Sequence, residues 1–353
     1  MRFRRVLIVV KHTPFEAYAQ LKLQGKAPKQ LRWERLKDRY ESHDLCVQEL
    51  CSIVRKSLPR EDQVRVVSRE DLGPQHFENG VDLVIPVGGD GTVLSTSHFV
   101  DSVLRRTHTQ TSGVPEPKGP VVLGVNSDPT KPHERSLKGS DERRSFGALC
   151  YSSAIDMHNV LPKVLAGELD HHIQRRHRLA VTVRGTLSET RLPPALNDVL
   201  IAHPSPAAVS RFRLDKKILL RKNNDEGFND LDDLPPSADT FQFNVWSSGI
   251  WVASATGATA AVASAGGITD IPKDSPDFQF LVREHLVGEN DDRDYVSHLS
   301  KGLVNGHQHF LELRWNSQHG NVFIDGAHNK YDIELGDKVL ISSHATPLRI
   351  FSH

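Results

Sequence analysis

Little in this chain points to covalent cross-links, a membrane or a nucleic acid. Three cysteines in 353 residues are too few for a disulfide framework and fit a reducing compartment. Cys46 and Cys51 lack zinc-ligand spacing, and no second cysteine pair follows. The 19 histidines are scattered and form no ligand pattern, so no protein metal site is assigned. No apolar run approaches the roughly 20 residues that a membrane-spanning helix needs. The formal net charge is 0, from 44 Lys plus Arg against 44 Asp plus Glu. That balance gives no reason to expect a nucleic acid or a membrane surface as partner. Internal repeats and low-complexity tracts are missing too. The first apolar stretch, Val6-Leu7-Ile8-Val9-Val10, is too short for a signal peptide. It ends at Lys11-His12 without a small-residue cleavage site and reads as a buried strand. The C-terminal Phe351-Ser352-His353 is not a peroxisomal address, so the cytosol is the expected location.

What is present is ordinary for a globular protein: 25% charged and 38% hydrophobic residues, on a length that suits two domains. Residues 1–150 read as an α/β domain. Apolar runs at 6–10, 64–67, 81–87 and 121–125 predict strands covered on both faces. Val47, Leu50, Ile53, Val54 and Leu58 recur at helical spacing between the first two runs. Strands separated by helices argue for a parallel sheet. Residues 151–335 read as a β-rich domain that opens with one helix, from the spacing of Ile155, Val160, Leu161, Val164 and Leu165. Strands are expected at 179–183, 196–202, 241–252, 310–315, 322–325 and 339–341. Leu311, Leu313 and Trp315 alternate with polar residues, as in a half-buried antiparallel strand, and 317–320 reads as a hairpin connection. Residues 336–353 form a C-terminal strand segment that can return to the first domain. Stretches 110–120, 128–144 and 222–239 read as loops, the last as a surface insertion.

The strongest local signal is Gly88-Gly89-Asp90-Gly91-Thr92, directly after the third strand and before a helix start. Three glycines let the backbone turn sharply and approach a ligand. Backbone N–H groups at a helix start attract phosphate. Ligands of open α/β sheets sit at the carboxyl ends of strands, where this turn falls. Asp90 is the informative residue. A carboxylate repels phosphates, so its place here makes sense if it accepts a proton from, or orients, a hydroxyl that attacks a phosphoryl group. A purely structural turn with a capping aspartate is the competing reading. Neither G-x-x-x-x-G-K-[ST] nor a complete G-x-G-x-x-G is present. Farther on, Asn197 and Asp198 adjoin an apolar strand, where such a pair is costly unless hydrogen-bonded. Thr256 to Ser264 is built from small residues that let a backbone lie flush against a flat ring or a ribose; close helix–sheet packing would explain it equally. Arg178 reads as a solvated strand-end charge.

Four motifs together resemble the NAD kinase family, and within it the plant-type branch that prefers the reduced dinucleotide. They are Gly88-Gly89-Asp90-Gly91-Thr92, Gly124-Val125-Asn126-Ser127-Asp128-Pro129-Thr130, Ala195-Leu196-Asn197-Asp198 with its following strand, and Ser247-Ser248-Gly249 through Thr256-Gly257-Ala258-Thr259-Ala260 to Gly267. Val322-Phe323-Ile324-Asp325-Gly326 is similar to the family's late Phe-Asp-Gly strand. The resemblance implies an α/β N-terminal domain, a β-rich C-terminal domain and a dinucleotide site in the cleft between them. It implies ATP as phosphoryl donor, Mg²⁺ or another divalent cation with it, and transfer to the adenosine-ribose 2′-hydroxyl of NADH or NAD. On that resemblance Asp90 is the catalytic base, and Gly88, Gly89 and Thr92 bind phosphate or nucleotide. Gly91, Asn126, Asn197, Asp198, Thr256, Gly257, Thr259 and Ala260 bind the dinucleotide. Homo-oligomers, dimers or tetramers, are the family's habit. The chain departs from the pattern at Ala258, where the family commonly has Ser, at Ala261, where it has Tyr, and at Ser248, where many members have Asp. Lipid kinases share the glycine-rich turn and phosphofructokinases a variant of it, but neither accounts for Asn197-Asp198 or the Thr256 loop. A dinucleotide sensor without turnover would gain little from Asp90.

Overall fold

The computed structural model describes residues 3–58, 60–78, 80–100, 119–130, 145–219, 240–289 and 292–353. The loops expected at 110–120 and 128–144 lie largely outside these residues, and 222–239 wholly so. The chain divides into two compact units, Met1–Arg175 with Leu348–His353, and Arg176–Pro347.

In the first unit, β1 (Val6–Val10), β2 (Val64–Ser68), β3 (Leu83–Gly88) and β4 (Val121–Val122) are parallel in the order β4–β3–β1–β2. The end of the last strand, β18 (Lys338–Phe351), pairs with β4, also in parallel. The apolar run expected at 121–125 breaks into β4 and β5 (Val125–Asn126) at Gly124, where a Cβ would lie 2.7 Å from the Leu149 carbonyl oxygen. Helix α1 (Pro14–Leu23) was not expected from apolar spacing, because it buries no residue. Its signal is a capping box: the Thr13 N–H donates to Glu16 Oε2 at 2.7 Å, with Pro14 at the first helical position. Helix α2 (Trp33–Ser57) buries Cys46, Leu50, Cys51 and Val54 against the sheet. α3 (Asp90–Ser97) follows β3, and β6 (Ser152–Ser153) pairs with β5. Helix α4 (Met157–Ala166) puts Met157, Leu161, Val164 and Leu165 into the same core. The division therefore falls after Arg175, later than the boundary near residue 151 read from the sequence.

The second unit is antiparallel. β7 (Ile173–Arg184) pairs with β8 (Glu189–Arg191). β9 (Asp198–Ala202), β10 (Ser210–Ile218), β11 (Phe241–Ser247), β12 (Ile250–Ser254), β13 (Phe278–Val282), β14 (Lys301–Val304), β15 (His309–Trp315), β16 (His319–Ile324) and β17 (Lys330–Glu334) complete the strands, with helices α5 (Ala261–Ser264) and α6 (Arg293–Leu299) between them. One sheet runs β11–β10–β15–β18, the other β14–β13–β12–β9–β16–β17. Their inner faces share one core, with Phe212, Leu313 and Trp315 from the first and Val199, Val252, Phe280 and Val322 from the second.

Three further expectations need correction. The run at 241–252 is two strands, since Gly249 turns with φ +120 and a Cβ there would lie 2.6 Å from the Ile201 carbonyl oxygen. β15 is not half-buried: only Arg314 is exposed, and Glu312, 2% exposed, is matched by Lys217 at 3.1 Å and Lys338 at 3.5 Å. Arg178 is not a solvated strand end. It sits inside the 12-residue β7, is 0% exposed, and its Nε donates to the Thr346 carbonyl at 2.9 Å. Among the described residues no helix is long and apolar enough to cross a membrane.

Candidate active site

The first cluster forms at the carboxyl ends of the parallel strands. β3 is buried over its whole length, so Gly88 is delivered to the sheet edge with no slack. Gly88 must lack a side chain because a Cβ there would lie 2.3 Å from Thr92 Oγ1. Gly89 makes room for Ser145, whose Cβ would be 2.5 Å away. Asp90 is the first residue of α3, where a negative charge suits the helix dipole. Its carboxylate accepts the Leu149 N–H on Oδ1 at 2.8 Å, and its Oδ2 lies 3.1 Å from Ser145 Oγ. A Cβ on Gly91 would meet nothing within 4 Å, so this side of the turn is open. The negative charge of Asp90 adds to burial in pushing the Cys150 thiol up to about 12.

Asn126 ends β5 in the same place. It is 3% exposed; its Nδ2 donates to the Ser145 carbonyl at 3.1 Å and its Oδ1 accepts the Asp128 N–H at 3.2 Å. The residues after it are braced by α2, with His43 Nδ1 2.8 Å from Ser127 Oγ and Arg39 Nε 3.1 Å from Asp128 Oδ2. Burial, helped by the nearby Lys11 charge, lowers His43 to about 4, so the ring is neutral at ordinary pH.

The second cluster lies in the antiparallel unit. Asp325, at the end of β16, takes φ +51, a left-handed conformation that aspartate tolerates better than most residues. Its Oδ1 accepts the N–H groups of Asn197 at 2.7 Å and Asp198 at 3.1 Å, and its Oδ2 accepts that of Leu196 at 2.8 Å. Three donors on one carboxylate fix the turn that presents Asn197 and Asp198. Ser254, at the end of β12, completes it. Its hydroxyl donates to the Leu196 carbonyl and accepts the N–H groups of Thr256 at 3.1 Å and Gly257 at 3.2 Å. Gly257 is pressed against Asn197 so closely that a Cβ would lie 2.0 Å from the Asn197 carbonyl oxygen. The Thr256 hydroxyl is buried and has no hydrogen-bond partner in the structure, a cost that a ligand group would remove. Thr259 is exposed and Ala260 half-buried at the rim, while Ala258 is fully buried.

Sequence reasoning missed Ser145, Ser254 and Asp325 as parts of these clusters. Asp325 was visible inside a motif but carried no role. Ser145 is 55 residues from Asp90, and no pattern links them.

Burial, reinforced by the Asp325 charge, raises Asp198 to about 6 from an ordinary 3.8. The native chain therefore holds a proton that the unfolded chain has lost between those two values, and stability falls as pH rises from about 4 to about 6. Asp198→Asn is expected to be near neutral for stability at pH 4. At pH 7 it should be stabilising by on the order of 1–2 kcal/mol, a figure discounted for the partial exposure of Asp198. Urea unfolding of both proteins across this range checks it; a difference independent of pH would contradict the assignment.

No family model matches the chain. It is 36% identical over 368 residues to a protein of Oryza sativa subsp. japonica described as a probable NADH kinase, covering 99% of this chain and 97% of that protein. It is 35% identical over 357 residues to the NADH kinase of Arabidopsis thaliana, covering 99% of this chain and 96% of that one. Among solved structures, yeast NADH kinase complexed with NADH superimposes with a TM-score of 0.60 at 15% identity, over 100% of this chain and 84% of the other. An NAD kinase from Archaeoglobus fulgidus in complex with ATP gives 0.55 at 16% identity, over 98% of this chain and 93% of the other. At such identities the two structures speak for a shared fold.

Proposed function

The chain belongs to the NAD kinase family, and from that premise we propose that it transfers the γ-phosphoryl group of ATP to the adenosine-ribose 2′-hydroxyl of NADH or NAD, giving NADPH or NADP. The observation that carries the chemistry is Asp90. Its carboxylate is held at the end of β3 with open space over Gly91. Phosphoryl transfer leaves little covalent work to a protein; positioning and charge do most of it. Asp90 takes the proton from the 2′-hydroxyl as the new oxygen–phosphorus bond forms and the bond from the γ-phosphorus to the bridging oxygen breaks, ADP leaving with that oxygen and the bonding electrons. At the start of α3 the N–H groups of Asp90, Thr92 and Val93 are engaged by Ser145 Oγ and the Gly89 carbonyl, so the Gly91 N–H, on the open side of the turn, is the donor offered to an incoming phosphate. The donor is Mg²⁺–ATP, or ATP with another divalent cation. When bound, Mg²⁺ would be held through the ATP phosphates, whose charge it would offset, and Asp90 is kept for the acceptor proton.

On the acceptor side, Asn197, Asp198 and Thr256 are the hydrogen-bonding groups that the Asp325 and Ser254 clamps hold in place. Asn197→Ala is expected to raise the dissociation constant for NADH by about tenfold, the loss of a hydrogen bond to a well-placed partner, and to leave ATP affinity within about twofold. Calorimetric titration with each ligand separates the two; equal losses would return Asn197 to a structural role. A coupled assay with purified protein, Mg²⁺–ATP, and NADH or NAD side by side tests the function itself. Turnover with neither acceptor would overturn it. We also place the protein in the cytosol, a compartment that suits three free cysteines, and as a dimer or tetramer by the family's habit. Fluorescent fusion and light scattering are the respective tests.

A further inference from the structure

An aspartate on the first turn of a helix can rotate about both side-chain bonds, and it serves as a base only while one oxygen faces the proton it is to take. In this chain both carboxylate oxygens of Asp90 are held, Oδ1 by the Leu149 N–H at 2.8 Å and Oδ2 by Ser145 Oγ at 3.1 Å. The direction of the serine proton follows from counting. A hydroxyl oxygen has two lone pairs and one proton to give. The N–H groups of Asp90, at 3.1 Å, and Gly147, at 3.2 Å, occupy the lone pairs. The proton is left for the carboxylate. Ser145 is itself anchored: its carbonyl accepts from Asn126 Nδ2 at 3.1 Å and Thr130 Oγ1 at 3.0 Å. Gly147 reaches its place with φ +71, close against Asn126, where a Cβ would lie 2.7 Å from Nδ2. Gly89 lacks the Cβ that would push Ser145 away by closing to 2.5 Å. Each carboxylate oxygen has further lone pairs, so the grip does not consume the base.

We infer that Ser145 is a positioning residue for phosphoryl transfer: its hydroxyl proton is committed to Asp90 Oδ2 and sets the rotamer in which the carboxylate meets the acceptor hydroxyl. On this account Asn126 acts through Ser145, and the segment from Ser145 to Leu149 is a strap that aims the base. The inference rests on the kinase reading above.

The test is a double-mutant cycle on the full-length chain with Mg²⁺–ATP and NADH. It uses wild type, Ser145→Ala, Asp90→Asn and the double variant, with Ser145→Thr as the conservative control. Ser145→Ala should lower kcat by about ten- to a hundredfold, the size of a misplaced reacting group, with KM for either substrate within about threefold. Ser145→Thr, which keeps the donor, should recover most of that loss. In the Asp90→Asn background, Ser145→Ala should cost less than about threefold, because there is no base left to aim. A loss of the same size in both backgrounds, or one confined to KM, overturns the inference. If thermal melting shows Ser145→Ala unfolded, Ser145→Cys, similar in size but a weak donor, carries the same cycle. Absence of turnover by wild type overturns the kinase reading and this inference with it. Wild-type turnover with an unchanged Ser145 cost removes only Ser145.

Discussion

Asp90→Asn is expected to lower kcat by roughly two to four decades, the usual size of a general-base contribution. Dinucleotide and ATP affinities should stay close to wild type. The substitution is nearly isosteric, and the amide oxygen keeps one of the two grips, the Leu149 N–H or the Ser145 hydroxyl, while its NH2 group gives up the other. What it loses is the capacity to take a proton. Less negative charge beside the phosphates should, if anything, tighten ATP binding slightly. Single-turnover kinetics together with equilibrium titration of both ligands separate chemistry from binding. Near-normal turnover by this variant would remove Asp90 from the reaction and leave the glycine-rich turn a phosphate cradle with a structural cap.

The second large effect is expected at Gly257. A methyl group there would sit 2.0 Å from a backbone carbonyl oxygen that cannot step aside, because Asn197 is held by Asp325 through its N–H and by Ser254 through its carbonyl. Gly257→Ala should therefore cost at least about 1–3 kcal/mol of stability, the range for overpacking. It should also displace Thr256 and Asn197, weakening NADH binding by about a hundredfold or more for a shift of ~3 kcal/mol. Gly91→Ala is the control, since a Cβ there meets nothing within 4 Å. It should leave the melting temperature unchanged and impair ligand binding alone, by intruding on the open side of the Asp90 turn. Calorimetric melting and titration of both variants decide this. A Gly257→Ala protein with wild-type melting and affinity would show that the loop carries no tight register.

The parallel half of the fold was legible because apolar strands buried on both faces announce themselves as continuous runs, as β1 and β3 do. α1 was not, because it buries nothing and only its capping box speaks for it. The strands of the antiparallel unit were found but not their ends. Gly249 splits an unbroken apolar stretch through a contact with Ile201, which sequence periodicity does not register. Arg178 was misread because the carbonyl that accepts its hydrogen bond, that of Thr346, comes from the far end of the chain.

By itself the sequence determined which groups stand together along the chain: a carboxylate among glycines after a buried strand, an Asn-Asp pair beside an apolar strand, and a loop of small residues. Local composition encodes these, since each needs only its neighbours in the chain. Only the tertiary structure decided what holds them. Ser145 reaches Asp90 across 55 positions and Asp325 reaches Asn197 across 128. Hydrogen bonds of that span depend on where strand ends converge in space, and no spacing rule along the chain records it.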